Sequence, residues 1–423
     1  MMPPLPRRAL LERAVLAGAG ALLAAGGARA AQIAPRIAPH IAIIGGGVAG
    51  TTAARHLRRL LPAAEITVFE PLADYHACYG SNQVIGGWLD DARLRFRHDQ
   101  LAKLGIRRVT TAVERIDLQG PRPRIAGTAY DHVILAAGVA MAAPDYDGYD
   151  PAATPPYWTA GEAIPGFCDR IDAMPDGGTL VMLVPGAPYR CPPAPYERAT
   201  AIAARLQARG RKGRVVILDA KGSFPKQALF EDAWRRLYPG RVEWLPLDMI
   251  GKVRAIAGRE VRTDTDRFAF DLLHVIPPQT AARVALDSGL GDETGWIPVG
   301  GPAFLHPAMP RVSAIGDGCI AGEMPKSAFA ANAQAQLLAA SLAARFLDLP
   351  PPEPALFNTC YSRLAADETV LVGGPFGFVD GRIKAKGGFI SKPGESAAQR
   401  QAQTEEAVAW IDTFSAAIFG EEG

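Results

Sequence analysis

The sequence predicts an α/β fold built on two Rossmann-like, dinucleotide-binding domains, and three observations predict it. The first is an apolar strand, His40 to Ile44, that runs into Gly45, Gly47 and Gly50 in G-x-G-x-x-G spacing and then into a helix ending near Leu60. The second is a pair of short apolar strands far downstream, Tyr130 to Gly138 and Val312 to Gly318, each ending in small residues, as where a chain returns to a sheet it has left. The third is a further strand and helix alternation between them: Thr179 to Val184, Val215 to Asp219, and a helix from Pro225 to Tyr238.

Residues 1–30 stand apart from this pattern. Arg7-Arg8, an Ala/Gly/Leu stretch from Ala14 to Gly27 and the small-residue step Ala28-Arg29-Ala30 read as a removable export signal. The paired arginines point to the twin-arginine route, which carries folded proteins to the periplasm. Leu10 and Glu12 stand where bulky aromatic and basic residues are commoner, so a plain secretory signal is the alternative. No later stretch approaches the ~20 apolar residues of a membrane helix. Removing the signal's four arginines and one glutamate takes the formal charge from +2 to −1. Such a chain offers no basic field for nucleic acid. Five cysteines in an exported chain allow a disulfide and leave an odd number. Cys168 and Cys319 read as buried small hydrophobes.

The glycine turn sits in the context its chemistry needs. Glycines permit a tight turn and close backbone approach to a pyrophosphate, whose charge the following helix N-terminus stabilises. A second strand, Glu65 to Phe69, ends in Glu70, twenty residues after Gly50 and suited to the hydroxyls of an adenosine ribose.

Two later segments bear on which dinucleotide is bound. The strands at Tyr130 to Gly138 and Val312 to Gly318 resemble those of the disulfide-reductase class of flavoproteins. In that class an aspartate placed like Asp317 lies against the ribityl chain of FAD, and the next helix, here about Ser327 to Phe346, points its N-terminus at the isoalloxazine. Gly138 and Lys326 are placed at the same cofactor by this resemblance. Asp317 read alone is equally compatible with a helix N-cap. The middle strand Thr179 to Val184, by contrast, runs into Pro185-Gly186-Ala187-Pro188-Tyr189-Arg190-Cys191-Pro192-Pro193, where such flavoproteins place glycines for NAD(P)H. Proline has no N–H to offer a phosphate, so this domain keeps its fold without an NAD site.

The segments CYGSNQVIGG, DGGTLVMLVPGAPYRCPPAPYERA, IPPQTA, IGDGCIAGEMPKSAFAANAQA and FNTCYSRLA together resemble the flavoprotein subunit of flavocytochrome c sulfide dehydrogenase. The resemblance covers the chain from about His40 onward and weakens after Ala365, where GGPFGFVDGRIKAKGG departs from the usual pattern. It implies an exported subunit with FAD bound covalently through Cys78, a redox disulfide between Cys191 and Cys360, and an acid, Glu197, beside it. Substrate would be sulfide, the product polysulfide or sulfur, and the partner a cytochrome c subunit carrying haem. No C-x-x-C-H site is present, so any haem belongs to another chain. No metal ligands are assigned. The domain plan that follows is 1–30 signal, 31–150 first part of the FAD domain, 151–280 second nucleotide fold, 281–350 second part of the FAD domain, and 351–423 a C-terminal α+β domain.

Each of these residues also has a plainer reading. Cys78 could be a buried free thiol. Cys191 and Cys360 could form a structural staple, a long-loop closure worth about 5 kcal/mol in the chain-entropy model. Glu197, in the first turn of a helix, could serve only as a dipole partner. Two other functions stay open: a sulfide:quinone oxidoreductase, which should show an amphipathic, aromatic-rich C-terminal anchor, a poor match for Glu405 to Phe419, which holds Trp410, Phe414 and Phe419 but lacks basic residues, and a non-catalytic flavoprotein of a sulfur-oxidation complex.

Overall fold

The computed structural model describes residues 38–159 and 163–420, and the export signal expected at residues 1–30 lies outside them. Strand β1 (His40–Ile44) is an isoleucine-rich run whose last four positions are buried. It ends at Gly45, where φ is +102° and an added Cβ would lie 2.5 Å from the carbonyl oxygen of Ala136. Helix α1 (Val48–Leu60) begins three residues on. A Cβ on Gly50 would stand 1.8 Å from the Gly45 carbonyl oxygen, so the third glycine lets the helix pack onto its own turn. Strand β2 (Glu65–Phe69) follows, then the short, wholly buried helix α2 (Ser81–Ile85), β3 (Arg107–Val109) and β4 (His132–Leu135).

The chain then enters its middle unit. Here β5 (Thr179–Val184), helix α3 (Ala194–Ala208), β6 (Arg214–Asp219), helix α4 (Gln227–Leu237), β7 (Val242–Leu245) and β8 (Leu272–Val275) form a parallel sheet in the order β7-β6-β5-β8. Helix α4 starts two residues later than the sequence suggests, because Lys226 is held at φ +65° and serves as its N-cap. With β9 (Leu305–His306) and β10 (Met309–Ala314) the chain returns to complete the first sheet, β9-β10-β4-β1-β2-β3, which is parallel except at the β9 edge. Residues 316–318 after β10 form a 3₁₀ turn, and helix α5 (Ala328–Phe346) is capped by Ser327, whose hydroxyl accepts from Ala330 N at 3.1 Å. Asp317 is therefore not a helix N-cap.

The C-terminal domain pairs antiparallel strands β11 (Leu356–Arg363), β12 (Thr369–Val379), β13 (Arg382–Ala385) and β14 (Phe389–Ile390) with a long helix, α6 (Ala397–Phe419). The fold is thus two dinucleotide-type α/β domains plus an α+β domain, as the sequence predicts. The middle unit does not own its core alone. Its buried cluster takes in Ala77 and Ile85 from the first domain and Leu364, Val370 and Ile411 from the last. That shared core brings the head of α2, the head of α3 and strand β11 together, and each carries one cysteine.

Helix α6 turns its aromatic residues inward. Phe419 stacks on Tyr75 and Phe96 with centroids 4.9 Å from each, and Phe414 meets Tyr79 edge-on at 5.5 Å. Tyr79 and Ser415 share a hydroxyl hydrogen bond at 2.7 Å, and Arg55 Nη1 donates to the Gly420 carbonyl at 2.7 Å. Burying side chains of this size stabilises the docking by ~1.5–3 kcal/mol each. Among the described residues no helix is long and apolar enough to cross a membrane.

Candidate active site

A cavity of about 300 Å³ reaches from the β1-α1 turn to strand β11, lined at one end by Gly45, Gly47 and Glu70 and at the other by Cys78, Cys191, Glu197 and Cys360. Gly138 and Asp317 also stand on its wall. At the first end the Glu70 carboxylate accepts from Gly46 N at 2.8 Å and Leu72 N at 2.9 Å, which fixes an acid beside the glycine turn. Gly50 lies behind the turn, off the wall. Lys326 is also off it: its Nζ donates to the carbonyls of Asp317 at 2.8 Å and Cys319 at 2.7 Å and sits 3.7 Å from the Trp296 ring centre. Its own carbonyl accepts from Cys191 N at 2.8 Å, so Lys326 braces the two loops that frame the cavity.

Four wall residues carry a buried polar atom with no partner among the described residues: Trp158 Nε1, Asp317 Oδ1, Thr359 Oγ1 and Trp410 Nε1. Unpaired buried polar groups are rare in folded proteins, so four around one cavity mark a place built to hold a polar ligand. With the glycine turn and Glu70 at one end and Tyr75, Tyr79 and Phe329 along the wall, the residues fit a flavin dinucleotide. Burial raises the Asp317 carboxyl above its ordinary range, while the charges of Arg190 and Lys326 pull it back.

The three cysteines hold their places for different local reasons. Cys78 precedes α2, and its carbonyl accepts from Ser81 N at 3.2 Å and Ser81 Oγ at 2.9 Å. Cys191 has φ +57°, a left-handed conformation that disfavours a residue with a Cβ by ~1–2 kcal/mol. The bond to Lys326 and one from Ala194 N to the Cys191 carbonyl at 2.9 Å hold it there. Cys360 lies mid-strand in β11, paired with Val372. Cys191 and Cys360 stand on the same cavity wall, as unjoined thiols in this structure, close enough to perturb one another's ionisation. That interaction pulls the Cys360 thiol below its ordinary range and drives Cys191 above its own; burial raises both, the Lys226 charge lowers Cys360, and Glu197 raises each. Cys168 and Cys319 are buried away from the pair.

Glu197 is the centre of a buried polar lattice. Its Oε1 accepts from Arg363 N at 2.9 Å, and Oε2 accepts from Asn82 Nδ2 at 3.1 Å. Asn82 also gives Nδ2 to the Ala194 carbonyl at 3.1 Å and takes Arg198 Nε at 2.9 Å. The guanidinium of Arg198 lies 4.6 Å over the Trp158 ring. Burial raises the Glu197 carboxyl above its usual range, opposed by the bonds from Arg363 and Asn82 and by the charges of Lys226 and Arg198. A carboxylate shifted in that direction is a stronger base than an exposed glutamate and is suited to moving a proton. Sequence reasoning reached Glu197 but missed Asn82, Arg198 and Lys226. For Asn82 and Arg198 the signal was in the quoted motifs, one residue from Ser81 and from Glu197.

In the middle domain the acid that ends β6 is engaged by the protein's own side chains. Asp219, the last residue of β6 and 1 % exposed, accepts from Tyr196 Oη at 2.5 Å, Trp244 Nε1 at 2.9 Å and Lys221 Nζ at 2.5 Å. Phe224 stacks on Tyr196 with centroids 3.5 Å apart. The acid that would meet a ribose in this domain is engaged, and aromatic rings occupy the space beside it.

Comparison with known proteins agrees with this layout. Residues 39–164 match the pyridine nucleotide-disulphide oxidoreductase family. Residues 167–277 match the central region of the sulfide dehydrogenase [flavocytochrome c] flavoprotein chain, and residues 352–419 match the flavocytochrome c sulphide dehydrogenase flavin-binding family. The mitochondrial sulfide:quinone oxidoreductase of Mus musculus is 22 % identical over 333 residues, spanning 70 % of this chain and 69 % of that protein. The crystal structure of the sulfide:quinone oxidoreductase from Aquifex aeolicus superposes with a TM-score of 0.73 at 16 % identity, covering 91 % of this chain and 92 % of its own. The ferredoxin reductase of the Rhodopseudomonas palustris CYP199A2 system gives 0.61 at 20 % identity, covering 80 % and 82 %. At these identities the structural likeness is one of fold.

Proposed function

The chain belongs to the flavoprotein family of flavocytochrome c sulfide dehydrogenase, and from that premise we propose that it oxidises sulfide to polysulfide or sulfur and passes the electrons to a cytochrome c subunit carrying haem. It is a flavin-dependent oxidoreductase. The observation that carries the finer reading is the meeting of Cys191 and Cys360, 169 positions apart in sequence, on one cavity wall with Glu197 charge-coupled to both.

Gly45, Gly47 and Glu70 would hold the adenosine end of FAD, Asp317 its ribityl chain, and Cys78 would carry it as a thioether. Bound FAD supplies a two-electron acceptor beside the cysteine pair. In the oxidised pair, hydrosulfide attacks one sulfur to form a persulfide and the other sulfur leaves as a thiolate. The Glu197 carboxylate, which burial makes a stronger base than an exposed glutamate, takes the proton released as sulfide is consumed. Arg190, whose N–H is fixed by Gln279 Oε1 at 2.9 Å and whose guanidinium donates to the Trp158 carbonyl, puts a cation near Cys78, Asp317 and Cys191, where it favours entry of an anion.

Phe414 and Phe419, which are buried, and Trp410, half-buried on the cavity wall, support a protein acceptor over a quinone taken from a membrane, because these candidate anchor residues are turned toward the protein. The test is anaerobic addition of sulfide to the purified flavoprotein, with and without cytochrome c. Flavin bleaching followed by cytochrome reduction is expected. Bleaching relieved only by a quinone would favour the other acceptor, and no bleaching at all would favour a non-catalytic role. Export by the twin-arginine route is part of the same proposal: replacing Arg7 and Arg8 by Lys should strand the precursor in the cell, and unchanged export would point to the general secretory route.

A further inference from the structure

Lys226 is a cation that no role described so far uses, and its setting is locally unfavourable. It is the N-cap of α4, a position that prefers Ser, Thr, Asp or Asn, and a positive charge there opposes the helix dipole. Its backbone is left-handed, at φ +65°, although it carries a Cβ. It is also only 6 % exposed. Its carbonyl accepts from Leu229 N at 2.9 Å and Phe230 N at 3.1 Å, but the charged side chain gains nothing from the helix dipole and is held by what it meets. Nζ donates to Ser362 Oγ at 2.7 Å and to the carbonyl oxygen of Cys360 at 3.4 Å. An ammonium from the middle domain is clipped onto strand β11 at the cysteine itself.

We propose that Lys226 is the positioning residue that makes Cys360 the leaving thiolate of the disulfide exchange and so directs hydrosulfide to Cys191. The proposal rests on the reading of this pair as a redox disulfide. Three groups face Cys360 from the elements around it: the Cys191 thiol from the loop before α3, the Glu197 carboxylate from α3, and Lys226 from the head of α4. On its own strand the neighbouring Tyr361 is engaged elsewhere, giving its hydroxyl to Glu406 at 2.8 Å. Glu197 raises both thiols, whereas the Lys226 charge, fixed at the Cys360 carbonyl and Ser362 on the same strand, lowers Cys360. In thiol exchange the sulfur of lower pKa leaves faster.

The step balances as follows. The hydrosulfide sulfur bonds to Cys191 Sγ while the bond between Cys191 Sγ and Cys360 Sγ breaks, and its electron pair leaves on Cys360 Sγ beside the lysine. The sulfide sulfur is oxidised by two electrons and the disulfide is reduced by two. The proton stays on the persulfide until Glu197 takes it.

The test uses the full-length mature protein reduced with a phosphine. It is alkylated with iodoacetamide from about pH 5 to pH 10, and the peptides holding Cys191 and Cys360 are quantified by mass spectrometry. In the unmutated protein Cys360 should react with the lower midpoint. Lys226→Met should raise that midpoint by about one pH unit, and Lys226→Arg should restore most of it. Circular dichroism identifies folded variants. A folded Lys226→Met protein with an unmoved Cys360 midpoint, or an unmutated protein in which Cys191 has the lower midpoint, overturns the proposal. Should Lys226→Met not fold, Ser362→Ala removes the clip alone: an upward shift of the Cys360 midpoint supports the role, and none overturns it. Alkylation requires no turnover, so sulfide-dependent flavin reduction on the same preparation separately tests whether the disulfide is redox-active.

Discussion

Asn82 joins the cysteine-bearing head of α2 to the acid on α3, and Asn82→Leu measures what that junction does. Leucine is close in size but removes three hydrogen bonds: those to Glu197 Oε2 and the Ala194 carbonyl, both at 3.1 Å, and that from Arg198 Nε at 2.9 Å. Two of the three partners are charged groups in a buried setting. Each charged bond lost is worth ~1.5–3 kcal/mol, so the unfolding free energy should fall by about 3–5 kcal/mol, part of the loss being relieved when Glu197 takes up a proton. The pH dependence carries a definite sign. Burial already raises the Glu197 pKa in the folded state and the Asn82 bond opposes that rise, so its removal pushes the pKa higher still. A raised carboxyl favours folding while protonated and loses that contribution as pH climbs through the folded value. The deficit of Asn82→Leu should therefore be smallest in acid and grow with pH, and the acid limb of flavin reduction by sulfide should move up by about one unit. Urea unfolding followed by tryptophan fluorescence and stopped-flow flavin bleaching across pH read the two effects. A stability loss under about 0.5 kcal/mol together with an unmoved acid limb would refute the assignment of Glu197 as the proton carrier.

Neither NADH nor NADPH should bleach the flavin at a useful rate, because the loop from Pro185 to Pro193 lacks N–H groups for a pyrophosphate and Asp219 is engaged by Tyr196, Trp244 and Lys221. Rapid anaerobic bleaching by either at micromolar concentration would contradict this. Acid-precipitated protein should keep its yellow chromophore in the pellet, and Cys78→Ser should release it; free FAD in the supernatant of the unmutated protein would exclude the thioether.

Much of this architecture can be read in the sequence because it depends on contacts close along the chain. Strand β1, the glycine turn and α1 are one continuous local unit, and a steric demand such as the one at Gly50 leaves a visible mark. The proline-rich loop likewise announces a lost site by what it cannot donate. What seals that site cannot be read, since Asp219 and Trp244 meet only after β6 and β7 pair. Lys226 is hidden for the same reason. It lies 134 positions from the carbonyl it reaches, and its φ of +65° leaves no signature in a residue that is usually a solvated surface cation. The motif resemblance placed Lys326 at the cofactor, yet its side chain braces the loops behind the wall. Spacing within a motif does not say which way a long side chain turns.

The central claim is that sulfide reduces the flavin through Cys191 and Cys360, and the measurement that tests it most directly is anaerobic flavin reduction by sulfide in Cys191→Ser and Cys360→Ser. A structural staple closing so long a loop would take about 5 kcal/mol of stability with it when removed. A redox pair must instead stand with its disulfide open in every turnover, and the domain junction has other ties to hold it, among them Glu197 to Arg363 N at 2.9 Å and Tyr238 Oη to the Leu364 carbonyl at 2.7 Å. Both variants should therefore remain folded, retain flavin and match the reduced unmutated protein in stability, while losing sulfide-dependent bleaching. Near-normal bleaching in both would contradict the mechanism and leave the pair as a staple.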